Sequence, residues 1–449
     1  MLQEPKRGEP AYYPLNIQAR HSERRSMAFR DLLEGAHLHE SPISVKHGVL
    51  DASYSSGHIP LLFEDIIECP GHRTAANVLV RERLCEAFSI GPGELIDILA
   101  WAMDNPEDPV EVPASEAEVL QNTQETVNLE AIPIPWQHRA DRGRYQSASI
   151  IIAQHGGIRN ASFHRQFLRD STTTVSRFVP RHLKTMVDSA HSSGEEVSIC
   201  VVNAPDPTVL LAAAMSFKEH IDEIRVAAAL HRRIYGKPLR VVTLSNGIQV
   251  PADSEYAMEA RITADKSDEG PYVDITGTLD DVRQEAVIAY DAVHHRDRAV
   301  FHALIPAERE HRTLMGLPRA PTIKKAVSEV VECTDVHLTD GGSGWLAAVV
   351  QIKPKQKGDG RRAIEAAIDG HGSMKQVVVV DTDIDIADPV RVEWALMTRW
   401  QPDRDTIILS DQKGSSLDPS RYDDGRTSKI GMDATIKNHQ DESAFRSAV

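Results

Sequence analysis

The run Val377-Val378-Val379-Val380-Asp381 constrains the fold of this chain more than any other segment. Successive side chains of a strand point to opposite faces, so four valines in a row make both faces apolar. A strand buried on both faces belongs in a parallel sheet covered by helices above and below. Helical apolar spacing at 326–333, 363–369 and 389–400 supplies the covering layers. The last third therefore predicts a separate α/β domain.

The middle of the chain reads differently. Strand patterns at 147–153, 197–202, 239–243, 256–263 and 286–293 are joined by short turns, and one apolar helix is expected at 207–217. Many strands on short connections predict an antiparallel barrel or sandwich. The N-terminal part mixes both elements, with helical spacing at 26–33 and 95–102. Asn105-Pro106-Glu107-Asp108-Pro109 breaks that pattern, and the acidic, polar stretch 113–126 marks a boundary. A chain of 449 residues exceeds what one core organises. Three domains follow, at 1–115, 116–305 and 306–449, and the polar tail 437–449 is expected to fray.

A hydrophobic fraction of 41% with 26% charged residues is that of a soluble globular protein. The net charge of −16 argues against nucleic acid as a partner, which needs clustered cations, but leaves room for a local anion pocket. Cys69, Cys85, Cys200 and Cys333 form no CxxC pair and read as buried, reduced thiols. Residues 1–8 are polar and lack a signal core, and no apolar run reaches the roughly 20 residues of a membrane span. A cytoplasmic protein without a membrane partner is expected.

Chemistry concentrates in four places. Asn160-Ala161-Ser162-Phe163-His164-Arg165 is followed by Pro180-Arg181-His182-Leu183, by Glu223, and by Glu269-Gly270-Pro271-Tyr272-Val273-Asp274. Asn160 offers an amide oxygen, His182 an imidazole and Glu223 a carboxylate, a set suited to Mn²⁺ or Mg²⁺ rather than to structural zinc. Taken singly, these read as a turn residue, a helix cap and a solvated helix face. The Gly270-Pro271 turn can bring Glu269 and Asp274 to one pocket. Arg165 can pair with one acid and hold it ionised, leaving the other to take up a proton; the alternative is a charged surface turn. Lys429, in Thr427-Ser428-Lys429-Ile430-Gly431, offers a cation to a phosphate, or is a solvated loop lysine.

In this order the segments resemble the UbiD family of reversible, non-oxidative decarboxylases that use prenylated FMN. The resemblance covers nearly the whole chain and is strongest over 141–433, where Ser415-Ser416-Leu417-Asp418-Pro419 and Gly431-Met432-Asp433-Ala434-Thr435 are also similar to family segments. It implies an α/β (α+β) fold: an N-terminal α/β domain, a central split β-barrel for the cofactor, and a C-terminal α/β domain that helps form a homodimer or homohexamer. It implies that Asn160, His182 and Glu223 bind the divalent metal that clamps the cofactor phosphate. Ala161, Ala212 and Met215, with Glu223, would hold K⁺. The cofactor-binding set would comprise Asn160, Ala161, Ser162, Phe163, His164, Arg165, Arg181, His182, Glu223 and Lys429. Arg165, Glu269 and Asp274 match the family's catalytic network, with Asp274 protonating the substrate carbon as CO₂ leaves a covalent adduct with the flavin. A flavin prenyltransferase would supply the cofactor. The chain departs from some relatives at Asp274, where they carry Glu, at Arg181, where they carry Gln, and at His164.

Ile275, Leu314 and Met315, with Arg181 at the edge, correspond to pocket-lining positions. Such an apolar pocket suits a heteroaromatic acid, an indole or pyrrole carboxylate, and that is the first substrate reading. The second is anhydromevalonate phosphate, the substrate of an archaeal branch that Val179-Pro180-Arg181-His182 and Leu314-Met315-Gly316-Leu317-Pro318-Arg319 also resemble. A phosphate would call on further cations, Arg312 and Arg319. A flavin carrier without catalysis would need to have lost its acids. A hydrolase built on His182 and Glu223 would need an open metal position.

Overall fold

The computed structural model describes residues 28–217, 221–437 and 442–445. The segment 1–8, the first residues of the helix expected at 26–33 and most of the tail 437–449 lie outside these residues.

The valine run folds as read. Gln376–Asp381 is the central strand of a five-stranded sheet, ordered Glu332–Leu338, Ala347–Lys353, Gln376–Asp381, Arg426–Asp433, Thr406–Lys413. It pairs in parallel with both neighbours, and the two outer pairings are antiparallel. Val377 and Val379 pack with Ile323, Val327, Ile364 and Ala367 from the helices Ala320–Ser328 and Asp359–Gly370. Val378 and Val380 pack on the opposite face with Val392 and Ala395 of the helix Pro389–Arg399. Each buried valine contributes about 1.5–3 kcal/mol. One expectation is corrected here. The helix read at 326–333 runs instead over Ala320–Ser328, and the chain then enters the strand Glu332–Leu338. The core-facing set Ala320, Ile323 and Val327 starts upstream of the segment read and enters it only at Val327. The β-branched pair Val330-Val331 marks the exit from the helix rather than its continuation.

The central region is a nine-stranded sheet whose pairings are all antiparallel. Its spine is the pair Tyr256–Glu269 and Arg283–His295, with Val197–Asn203, Ile150–His155 and Ile158–Phe163 following on one side. Register shifts between Glu259 and Ala260 and between Ile262 and Lys266 bend this pair, and the sheet curls into a half-barrel. Both spine strands outrun their apolar patterns. Polar Lys266, Ser267 and Asp268 stay in the sheet because Arg283–His295 pairs with them, and on as far as Glu269↔Arg283. That extension carries Glu269 to the site described below.

The N-terminal part holds the helix Pro92–Asp104 and a four-stranded sheet completed by Val300–His302, which returns from beyond the central sheet. The helix expected at 26–33 is a short 3₁₀ turn, Phe29–Leu33. Buried Glu310 accepts the backbone N–H groups of Asn77, Val78 and Leu79, and His302 Nε2 lies 2.8 Å from its carboxylate. This ties the helix Arg309–Gly316 to the N-terminal sheet. All four cysteines are buried free thiols. No helix among the described residues is long and apolar enough to cross a membrane.

Candidate active site

A tight hairpin builds the acidic half of the site. Tyr272–Val273 pairs antiparallel with Leu279–Asp280, and the Asp274 N–H donates to the Thr278 carbonyl at 3.0 Å. Glu269 ends the preceding strand, and Gly270 turns the chain between them. Gly270 has φ +87°, and a Cβ there would lie 2.6 Å from the Asp281 carbonyl oxygen, so no other residue fits. The Gly270-Pro271 bond is cis. Asp141 secures the hairpin from below by accepting the Val273 N–H at 2.8 Å.

Arg165 lies at the centre of this hairpin's acids. Its Nε and Nη2 donate to the two oxygens of Glu269 at 2.9 and 2.8 Å, its Nη1 to Asp274 at 2.8 Å, and its Nη2 also to Asp280 at 2.8 Å. Its guanidinium stacks 4.5 Å over the Tyr272 ring. Burial opposes the charge of Arg165, but the bonds to Glu269 and the nearby Asp274 outweigh it and raise its pKa. The sequence-derived trio is therefore one connected network. Asp280 was missed by sequence reasoning. It also accepts from Arg177 and Arg283, and although burial acts the other way, these cations hold its carboxyl below the usual range. A signal was available: Gly277, with φ +75°, sits between two short β patterns and would have placed Asp280 opposite Tyr272.

The metal-type residues gather on the strand Ile158–Phe163. Asn160 Nδ2 donates to Glu223 Oε1 at 3.0 Å, and the Ala161 N–H to Glu223 Oε2 at 2.9 Å. Glu223 opens the helix Glu223–Tyr235 and is 4% exposed; burial pushes its pKa up to about 8. His182 opens the helix His182–Ser192, which packs on the same strand. Ser162 donates to Asn160 Oδ1 at 2.9 Å and lies 3.0 Å from His164 Nε2. Burial holds His164 neutral, with its pKa lowered to about 4, and its ring meets Phe178 edge-on. Phe163 is half-buried against the core. Ala161, Ala212 and Met215 are buried, and the Ala212 carbonyl accepts the Met215 N–H at 3.0 Å.

No group of three or more His, Cys, Asp or Glu side chains converges among the described residues. Asn160 and Glu223 therefore offer a hard cation an amide and a carboxylate side by side, and His182 heads a helix packed on the same strand. A buried carboxylate held by an amide and backbone N–H groups, with no cationic side chain bonded to it among the described residues, has the chemistry of a site completed by a cation. The residues fit the metal clamp implied by the resemblance.

Ile275 is fully buried behind Asp274, Leu314 is buried, and Met315 is half-buried on the same helix as His311. His311 was not anticipated. Burial lowers its pKa to about 4, the charge of Asp274 pulls it upward, and its Nδ1 accepts the Ala307 N–H at 3.2 Å. Arg181 Nη1 donates to Ser216 at 3.1 Å, and Lys429 Nζ donates to the Gly372 carbonyl at 2.5 Å. Both line a cleft between the central and C-terminal regions.

The 3-octaprenyl-4-hydroxybenzoate carboxy-lyase Rift-related domain matches residues 110–309, and the C-terminal domain of the same enzymes matches 312–434. Anhydromevalonate phosphate decarboxylase of Methanosarcina mazei is 39% identical over 380 residues, 84% of this chain and 87% of the relative. The Archaeoglobus fulgidus enzyme of that name is 36% identical over 417 residues, 91% of this chain and 93% of the relative. Among solved structures, the UbiD-class enzyme HmfF of Pelotomaculum thermopropionicum, in complex with FMN, superposes with a TM-score of 0.89 at 32% identity, covering 94% of this chain and 97% of HmfF. The chain belongs to the UbiD family of prenylated-FMN-dependent carboxy-lyases.

Proposed function

We propose that this enzyme decarboxylates anhydromevalonate phosphate. The observation that carries the substrate is the 39% identity with the M. mazei decarboxylase across 84% of the chain. It favours the second substrate reading over the heteroaromatic acid. The apolar lining by Ile275, Leu314 and Met315 suits a branched alkenoic acid as well as a ring.

The prenylated flavin supplies an electron sink for cleavage of the bond between the carboxylate and the unsaturated carbon. The chain's own residues manage the proton. Asp274, held by a single N–H of Arg165, delivers a proton to the carbon from which CO₂ departs. Arg165 orients Asp274, and Glu269 fixes Arg165 through paired bonds. Burial disfavours the charged form of His311, and the charge of Asp274 acts on it. Asn160, His182 and Glu223 would hold Mn²⁺ or Mg²⁺, Ala161, Ala212, Met215 and Glu223 would hold K⁺, and these cations together with Lys429 would supply positive charge for the cofactor phosphate. A flavin prenyltransferase partner and a homo-oligomeric assembly belong to the same proposal.

The test is decarboxylation by protein co-expressed with a flavin prenyltransferase, offered anhydromevalonate phosphate, indole-3-carboxylate and pyrrole-2-carboxylate. Turnover of the phosphorylated acid is expected. Turnover of a ring acid alone would return the heteroaromatic reading.

A further inference from the structure

The cleft lined by Arg181, Arg319, Trp345, His371 and Lys429 encloses about 660 Å³. Its most unusual member is Arg319, which is 5% exposed. Among the described residues no carboxylate pairs with it, and its Nε has no hydrogen-bond partner. Its neighbour is the Trp345 ring, 5.2 Å from the guanidinium. Burial, and then the charge of Arg181, lowers its pKa to about 9. A buried guanidinium without an acid is unfavourable unless an anion arrives to pair with it.

The surroundings are built around that guanidinium. Trp345 is fixed by an Nε1 bond to Ser415 at 3.2 Å and presents its face to Arg319. His371 meets the same indole edge-on at 4.6 Å, and its Nε2 is also without a partner. Arg181 is steadied by Ser216. Lys325, Lys413 and Lys429 line the cleft too, against the acids Asp104 and Asp369. Asp104 is occupied by Lys325 at 2.9 Å, and Asp369 acts on Lys429. A single guanidinium satisfies a carboxylate, whereas two of them with ammonium groups at the rim match a dianionic, tetrahedral group.

Resting on the decarboxylase reading above, we propose that Arg319 and Arg181 form the subsite for a phosphate monoester on the substrate, separate from the carbon served by Asp274. Arg312, the other cation singled out in the sequence, does not line this cleft. The subsite makes the enzyme select phosphorylated unsaturated acids over their unphosphorylated counterparts.

The test compares wild type with Arg319→Met, which keeps the side-chain stem, and with Arg319→Lys. KM and kcat of the holoenzyme are measured for anhydromevalonate phosphate, and FMN affinity of the apoprotein is measured by fluorescence quenching. Arg319→Met is expected to raise KM roughly 10- to 100-fold, the loss of one charged hydrogen-bonding partner. FMN affinity stays unchanged, kcat changes far less than KM, and Arg319→Lys recovers part of the loss. An unchanged KM overturns the proposal. So does an FMN affinity that falls by the same factor as KM, which would assign the subsite to the cofactor phosphate. If wild type does not turn over this acid, the substrate reading fails separately. Calorimetric titration of FMN-loaded protein with inorganic phosphate then decides the subsite. Binding lost in Arg319→Met upholds a phosphate subsite for another acid, and identical titrations refute it. Should Arg319→Met fail to fold, Arg319→Lys and Arg319→Gln carry the same comparisons.

Discussion

Replacing Asp280 by Asn separates the ionic support of Arg165 from its direct contact with Asp274, the proposed proton donor. Asp280 touches neither Glu269 nor Asp274 by hydrogen bond, but it accepts from Arg165 at 2.8 Å, from Arg283 at 2.7 Å and from Arg177. Its side chain is 15% exposed, so the bond to Arg165, itself 10% exposed, is only partly screened. A charged hydrogen bond of this kind contributes about 1.5–3 kcal/mol. Loss of that amount from the transition state lowers kcat roughly 10- to 100-fold. Arg283 is 37% exposed, and its share is discounted for solvent screening. The stability signature has a definite sign. Asp280 has a folded pKa below its unfolded value of about 3.9, so its contribution is present above that value and fades as pH falls through the folded pKa. Urea unfolding of wild type and Asp280→Asn should differ at pH 7 and converge below about pH 4. Far-UV circular dichroism serves as the folding control. A folded Asp280→Asn enzyme with kcat within about twofold of wild type would refute the positioning role. A stability gap undiminished by acid would refute its ionic basis.

Glu269→Gln and Asp274→Asn should each retain FMN affinity while losing about 10²–10⁴-fold in turnover; full activity in both would remove the network from the mechanism. Mn²⁺ at about a hundred times its Kd should stabilise the apoprotein by about 2.7 kcal/mol, seen as a rise in Tm, and Asn160→Ala should abolish that rise. Gly270→Ala forces a side chain against the Asp281 carbonyl oxygen at positive φ, and should lower both Tm and kcat by displacing Glu269 and Asp274 together.

The parts of the site legible in the sequence are those whose chemistry sits close along the chain. Asn160 and Arg165 lie on one short stretch, and Glu269 and Asp274 flank one Gly-Pro turn. The valine run fixed the C-terminal sheet because both faces of one strand were written in consecutive residues. Residues joined only by long-range register stayed hidden. Asp280 reaches Arg165 because Tyr272 pairs with it, and Arg177 joins them from another strand end. His311 nears Asp274 because Glu310, beside it, is anchored by three backbone N–H groups near the N-terminal sheet. The helix misread at 326–333 has the same origin, since strand pairing with Ala347–Lys353 decided where the helix ends.

The division of labour proposed for Glu269 and Asp274 follows from how Arg165 shares its donors. Glu269 takes two parallel N–H bonds and is fully buried, so any movement breaks both at once where its carboxylate has no access to solvent. Asp274 takes one such bond, is 20% exposed, and rests its other oxygen on the Ile275 N–H at 2.7 Å. Swinging Asp274 away from Arg165 therefore costs about half as many charged bonds, with solvent available to the carboxyl as it moves. A proton donor must approach carbon and withdraw, whereas an anchor must not move at all. The short Asp274 side chain sharpens this difference. It sits on a hairpin tip whose backbone, held by Thr278 and Asp141, sets the reach that one methylene would otherwise supply.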